Sequence, residues 1–154
     1  LRRSDRPVME SLVTVLDSYS WMAQDHRVTL TIGECAPDLR AYLDWGVIER
    51  VLGNLISNGI KHSPEGSTVT LSACPDEGHL VLTVRDQGTG IAPEDQAHIF
   101  EKFTQAARRM GGTRYDTGLG LTFCKMAVEA HGGQITVESK LGAGATFILK
   151  LPMS

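Results

Sequence analysis

The chain has few cysteines and no close pair of them. Cys35, Cys74 and Cys124 are far apart in sequence, with no Cys-x-x-Cys and no Cys/His cluster, which argues against both a zinc site and a disulfide framework. Buried, reduced thiols are the expectation. No apolar run approaches the roughly 18 residues of a membrane span, and no secretory leader is visible. Positive charge is not in excess. The formal net charge of −3 argues against a general nucleic-acid binder, because phosphate contacts need a basic surface. No Gly-Lys-Ser/Thr closes a Walker A loop. The glycines at 118 and 120 lack the third glycine and the βαβ setting of a dinucleotide fingerprint. Internal repeats and low-complexity segments are absent. There is also no initiator methionine: the chain opens at Leu1-Arg2-Arg3, which suggests a piece of a longer polypeptide.

What is present suits one compact domain over residues 1–154, since 154 residues with 42% hydrophobic content can bury a real core. Val8, Leu12, Val15, Leu16 and Tyr19 recur at helical spacing and predict a helix over about 7–24, with Pro7 suited to its first turn. Val28 to Ile32 alternates and is β-branched, which predicts a strand; Pro37 to Leu43 reads as a connection with room for a short strand. Asp44 predicts the N-cap of a long helix reaching about His62, where Ser63-Pro64-Glu65-Gly66 stops it. Val69 to Ala73 and Leu80 to Val84 predict a hairpin turning around Pro75 to Gly78. Further helices are expected over 93–103 and from Leu119 to His131, the second stopped by Gly132-Gly133. Ile135 to Ser139 and Thr146 to Leu151 are the last strands. This order is not βαβ alternation. It predicts an α+β fold of two layers, about three helices on one face of a mixed, mostly antiparallel sheet.

Four polar clusters stand out against this frame. Asn54 and Asn58 are four residues apart, with Lys61 and His62 on the same stripe of the long helix. Their apolar neighbours Ile48, Val51, Leu52, Leu55 and Ile56 form the adjacent core arc. Amide oxygens and a lysine suit a phosphate chain and a hard cation; a solvated helix face is the alternative. Gly59 departs from helix preference at a cost of roughly 1 kcal/mol against alanine. Asp86-Gln87-Gly88-Thr89-Gly90 follows an apolar strand, where a buried carboxylate or a plain Asp-Gly turn both fit. Thr117-Gly118-Leu119-Gly120-Leu121 opens a helix, whose N-terminus favours phosphate. Gly142-Ala143-Gly144-Ala145-Thr146 is the last cluster, either a ligand-facing loop or an ordinary hairpin turn.

In this order the four clusters resemble the ATP-binding catalytic domain of bacterial sensor histidine kinases, a fold shared with gyrase-type and mismatch-repair ATPases. The resemblance runs from about Val8 to Pro152. It implies ATP and Mg²⁺ as ligands, with Asn58 holding the metal, Asn54 as its partner and Lys61 on phosphate. It places His62 beside the nucleotide, Asp86 on the adenine amine, and Gly88, Gly90 and Ile91 around the ring. Phe100-Glu101-Lys102-Phe103 resembles the family's F box, giving Lys102 and Phe103 to the site and an ATP lid to about 104–117; core packing is the other reading of the two aromatics. Thr117, Gly118, Leu119, Gly120 and Leu121 would meet phosphate, and Thr146 the adenine through water. Gyrase-like relatives carry a catalytic glutamate where this chain has Asn54, which implies a domain that holds ATP without rapid hydrolysis.

None of the five histidines has the context of a phosphoacceptor. The resemblance therefore implies γ-phosphate transfer to a histidine on a separate dimerisation domain upstream, relay to a response regulator receiver domain, and no self-phosphorylation. Residues 1–6 would be the junction. It further implies a bacterial cytoplasmic location, a membrane-anchored parent, no membrane insertion of the domain itself and a monomeric state in isolation. A serine kinase or slow ATPase of the same fold is one alternative, and an inactive scaffold module is another.

Overall fold

The computed structural model describes residues 1–101 and 119–153, and the side chain of Leu119 is not among the described ones. The element order is β1 (Ser4–Pro7), α1 (Val8–Asp25), β2 (Thr29–Ile32), β3 (Arg40–Leu43), α2 (Trp45–His62), β4 (Thr68–Asp76), β5 (His79–Arg85), α3 (Pro93–Gln96), α4 (Leu119–Ala130), β6 (Gln134–Ser139) and β7 (Ala145–Pro152). Five strands form one sheet in the order β2-β4-β5-β7-β6, and β1 pairs β3 in a separate two-stranded ribbon. Among the described residues β2 and β4 pair in parallel, and the ladders β1–β3, β4–β5, β5–β7 and β6–β7 are antiparallel.

Alternation decides which face of the sheet is covered. Val69, Leu71 and Ala73 of β4, Leu80, Leu82 and Val84 of β5, and Phe147, Leu149 and Leu151 of β7 are buried. Their in-between neighbours Thr70, Ser72, Cys74, Thr83 and Thr146 are only partly covered. Helix α2 packs between α1 and α4, and all three lie on the buried face. This is the expected two-layer sandwich. Long α2 is central because its apolar arc is wide: Ile48, Val51, Leu52, Leu55, Ile56 and Ile60 are all at most 1% exposed. Asp44 starts it as expected, its side chain accepting from Val47 N–H at 3.3 Å. The same residue's backbone N–H donates to His131 Nε2 at 3.2 Å, while His131 Nδ1 bonds Ala127 O at 2.8 Å. His131 is thus a buried bridge between α4 and the start of α2.

Three differences from the sequence reading have physical causes. The strand β1 was not expected, since Ser-Asp-Arg-Pro has no apolar alternation. It exists because Ser4 to Pro7 pair in register with Leu43 to Arg40. Pro7 ends that strand at the N-cap position of α1 instead of entering the first turn. The helix expected over 93–103 stops at Gln96. Beyond it, His98 N–H bonds Asp95 O and Glu101 N–H bonds His98 O, a run of tight turns that lets Ile99 and Phe100 both enter the core. The β4–β5 hairpin is longer than expected. Asp76 pairs His79, and the two-residue turn is Glu77-Gly78, both at positive φ (48° and 82°) as a type I′ turn requires.

Candidate functional site

The C-terminal half of α2 carries the first wall of the site. Asn58 and His62 are 7% and 6% exposed, Asn54 is partly buried, and Lys61 is exposed on the same stripe. Asn54 Nδ2 donates to Gly120 O at 3.4 Å, which joins the start of α4 to this stripe. The sequence-predicted Asn54, Asn58, Lys61, His62 and Gly120 are therefore together. Leu121 is adjacent in sequence, but its side chain is 2% exposed and belongs to the core. Lys102, Phe103, Thr117 and Gly118, with the segment expected as a lid, lie outside the described residues.

Asp86 forms the floor. It follows β5, and its side chain is 4% exposed. One oxygen, Oδ1, accepts from Gly88 N–H at 2.9 Å and from Ala145 N–H at 3.2 Å. Burial pushes the carboxyl pKa above its usual range, against the pull of those two N–H bonds. The carboxylate lies under α2: a Cβ on Gly59 would stand 3.5 Å from Asp86 Cβ and 3.4 Å from Val69. Gly88 is needed for close approach, because a Cβ there would stand 2.7 Å from the His62 carbonyl oxygen. At Gly90, with φ of 78°, a Cβ would collide with the Lys140 carbonyl.

The loop carrying Asp86 is fastened by residues that sequence reasoning missed. Ile91 N–H donates to Ser139 Oγ at 2.8 Å, and the Ser139 hydroxyl donates to Gly144 O at 2.7 Å. Gln96 Nε2 donates to both Ile91 O and Ser139 O at 2.9 Å. Gln87 Oε1 accepts from Thr68 N–H at 2.7 Å. A serine at a strand end and two glutamines carry no sequence signal of such a role. Ile91 itself is 1% exposed beside this loop. Phe100 meets Phe147 edge-on at 6.1 Å between centroids, which selects the core reading for that aromatic.

Thr146 is a correction. It pairs Arg85 and Glu138 in the ladders, so its side chain shares the outer face with them. Asp86, one residue past Arg85, points to the opposite, helix-covered face. The residue beside Asp86 is Ala145, which is 3% exposed and donates its N–H to the carboxylate. Thr146 instead lines an open outer pocket of about 450 Å³ with Arg85, Glu138 and Lys140.

A buried carboxylate between a glycine loop and an amide-bearing helix, in a two-layer sandwich, defines a nucleotide-binding domain of the ATPase type. The chain belongs to the family of histidine kinase-, DNA gyrase B- and HSP90-like ATPases, whose sequence profile matches residues 44–154. Helix α1 lies outside that match but shares the core. The sensor protein SrrB of Staphylococcus aureus is 38% identical over 149 residues, 96% of this chain and 25% of SrrB. The chain thus spans about a quarter of the length of such curated relatives. Among solved structures, full-length ShkA in complex with AMPPNP is 29% identical with a TM-score of 0.86, covering 100% of this chain and 32% of ShkA. The histidine kinase ThkA in complex with the response regulator protein TrrA is 24% identical with a TM-score of 0.82, covering 99% of this chain and 42% of that one. These likenesses assign the chain to the histidine-kinase catalytic-domain branch of the family. No helix among the described residues is long and apolar enough to cross a membrane.

Proposed function

We propose that the domain binds Mg-ATP between α2 and the 86–91 loop and donates the γ-phosphate to a histidine on a separate dimerisation domain of the same kinase. The observation that carries this reading is the state of Asp86. Its Oδ1 is occupied by two backbone N–H groups, and its Oδ2 is the oxygen left for a ligand. One remaining acceptor at the floor of a buried site matches the exocyclic amine of adenine, which guanine lacks at that position. Gly88, Gly90 and Ile91 shape the ring's place. Asp86 and its loop meet α2 at Gly59 and His62, beside Lys61, and Asn58 and Asn54 then run along the helix away from that end, at about 1.5 Å per residue, as a triphosphate would.

Asn58 fits a magnesium ligand, with Asn54 as its partner, because amide oxygens on one helix stripe are hard donors suited to an ion that shares substrate phosphates. When bound, the ion would neutralise phosphate charge. Lys61 and His62 flank the same chain, and Lys102, Phe103, Thr117, Gly118, Leu119 and Gly120 complete the proposed contacts. With asparagine at position 54, the domain has no carboxylate there to activate water. Transfer would therefore proceed by positioning and charge neutralisation, with the acceptor's base supplied by the other domain. Relay of the phosphoryl group to a response regulator receiver domain in the bacterial cytoplasm belongs to the same proposal, and the 38% identity to the sensor protein SrrB supports the relay.

Calorimetric titration with a non-hydrolysable ATP analogue, with and without Mg²⁺, tests this. Saturable binding that needs Mg²⁺, is lost in Asn58→Ala and is much weaker for the GTP analogue is the expected result. No binding at millimolar analogue would overturn the reading.

A further inference from the structure

One of the two backbone bonds on Asp86 Oδ1 is the last link of a longer chain that begins at Ile91. Ile91 N–H donates to Ser139 Oγ at 2.8 Å, and the Ser139 hydroxyl donates to Gly144 O at 2.7 Å. That carbonyl and the Ala145 N–H are the two ends of a single peptide group. Ala145 N–H donates to Asp86 Oδ1 at 3.2 Å. A planar trans peptide points its C=O and its N–H in opposite directions. Ser139, on the β6 side of β7, holds the oxygen and so turns the N–H toward Asp86, on the β5 side. Each donor in such a chain is polarised by the one before it, which strengthens the last bond.

The peptide needs this hold. Gly144 precedes it with φ of 79°, and a Cβ there would collide with the Asp86 carbonyl, so glycine is what lets the turn come this close. Glycine also leaves the peptide after it weakly restrained. Asp86 N–H donates to Ala145 O at 2.9 Å, which anchors the peptide after Ala145 and not the one before it. Ser139 stands opposite Ala145 in the β6–β7 register, at the mouth of the 140–144 turn, within reach of the loose peptide.

We propose, resting on the ATP reading above, that Ser139 is a positioning residue for recognition of the base. Through the Gly144–Ala145 peptide it keeps Asp86 Oδ1 occupied, so that Oδ2 is the oxygen presented to the exocyclic amine of adenine. Without the hydroxyl, the peptide can turn and bring its carbonyl oxygen toward the carboxylate, which repels it. Asp86 then loses one of the two bonds that fix its rotation. Recognition of the amine weakens first, because the proposed triphosphate contacts on α2 are not part of this chain.

The test compares two non-hydrolysable triphosphate analogues, one of adenosine and one of purine riboside, which lacks the exocyclic amine. Calorimetry on the whole chain gives the affinity gap between them. Ser139→Ala should shrink that gap by about 3- to 10-fold, the net worth of one hydrogen bond. Ser139→Thr keeps the hydroxyl and should keep the gap. In the nucleotide-free domain, the amide proton of Ala145 should move upfield in Ser139→Ala, as its bond to the carboxylate weakens, and stay in place in Ser139→Thr. A serine with only a structural role would weaken both analogues equally and leave the gap unchanged. That result, an unmoved Ala145 resonance, or a threonine variant that behaves like the alanine one would each overturn the proposal. Failure of the ATP reading looks different: the wild-type chain would bind neither analogue at millimolar concentration, while the Ala145 resonance would still decide whether Ser139 sets the peptide.

Discussion

Asp86→Asn should weaken nucleotide binding and stabilise the empty domain at once. The substitution is isosteric, so the side-chain oxygen can keep both backbone bonds, from Gly88 at 2.9 Å and Ala145 at 3.2 Å. What changes is the other position, where an acceptor becomes an NH₂ donor facing the adenine amine. Losing a hydrogen bond to a charged group costs about 1.5–3 kcal/mol, or about 10- to 150-fold in affinity. Stability moves the other way. The native carboxyl is raised above its ordinary 3.8 by burial, so between 3.8 and the raised native value the folded state binds more protons than the unfolded state. Wild-type stability therefore falls as pH climbs through that window and stays at the lower level above it. The asparagine variant lacks this decline. Asp86→Ala serves as contrast, because it strands two buried N–H groups at about 1–3 kcal/mol each. Thermal melts across pH and calorimetry with the ATP analogue read both effects. An asparagine variant less stable than wild type at neutral pH, or an affinity loss below about threefold, would refute the reasoning.

Two further outcomes follow from the same geometry. Gly59→Ala should raise stability by about 0.5–1 kcal/mol, since its Cβ meets Val69 and Asp86 only at ordinary contact distances, 3.4–3.5 Å, and the helix gains propensity; a lower melting temperature would show that the α2–β4 contact is tighter than it looks. Thr146→Val should leave analogue affinity within about twofold, because the side chain faces away from Asp86; a larger loss would restore Thr146 to the site.

Elements whose signals are local were legible in the chain. Helix α2 could be read end to end, because Asp44, the apolar arc and Ser63-Pro64 all act within a turn or two of the backbone they control. The same holds for Asp86 and Gly88, whose spacing is itself the geometry. What depended on distant pairing was not legible. Strand β1 is polar and exists only through β3, more than thirty residues on. Whether Ala145 or Thr146 faces the carboxylate is decided by the bond from Asp86 N–H to Ala145 O, a register across two strands. A one-residue slip there exchanges the two faces. Ser139 and Gln96 hold the 86–91 loop through bonds to backbone atoms, which leave no mark on residue type.

The place of β7 has a consequence for how the domain comes into being. The last strand of the chain lies inside the sheet, between β5 and β6, and its first residue supplies one of the two N–H groups on Asp86. Chains emerge from the ribosome N-terminus first and local contacts form early. During synthesis β5 has only β4 beside it, and its other edge is bare until residues 145–152 are released. The backbone N–H and C=O groups of β5 that β7 will pair stay open on that edge. The carboxylate cannot acquire its final geometry until then, so a ribosome-tethered chain lacking those residues should be unable to hold nucleotide.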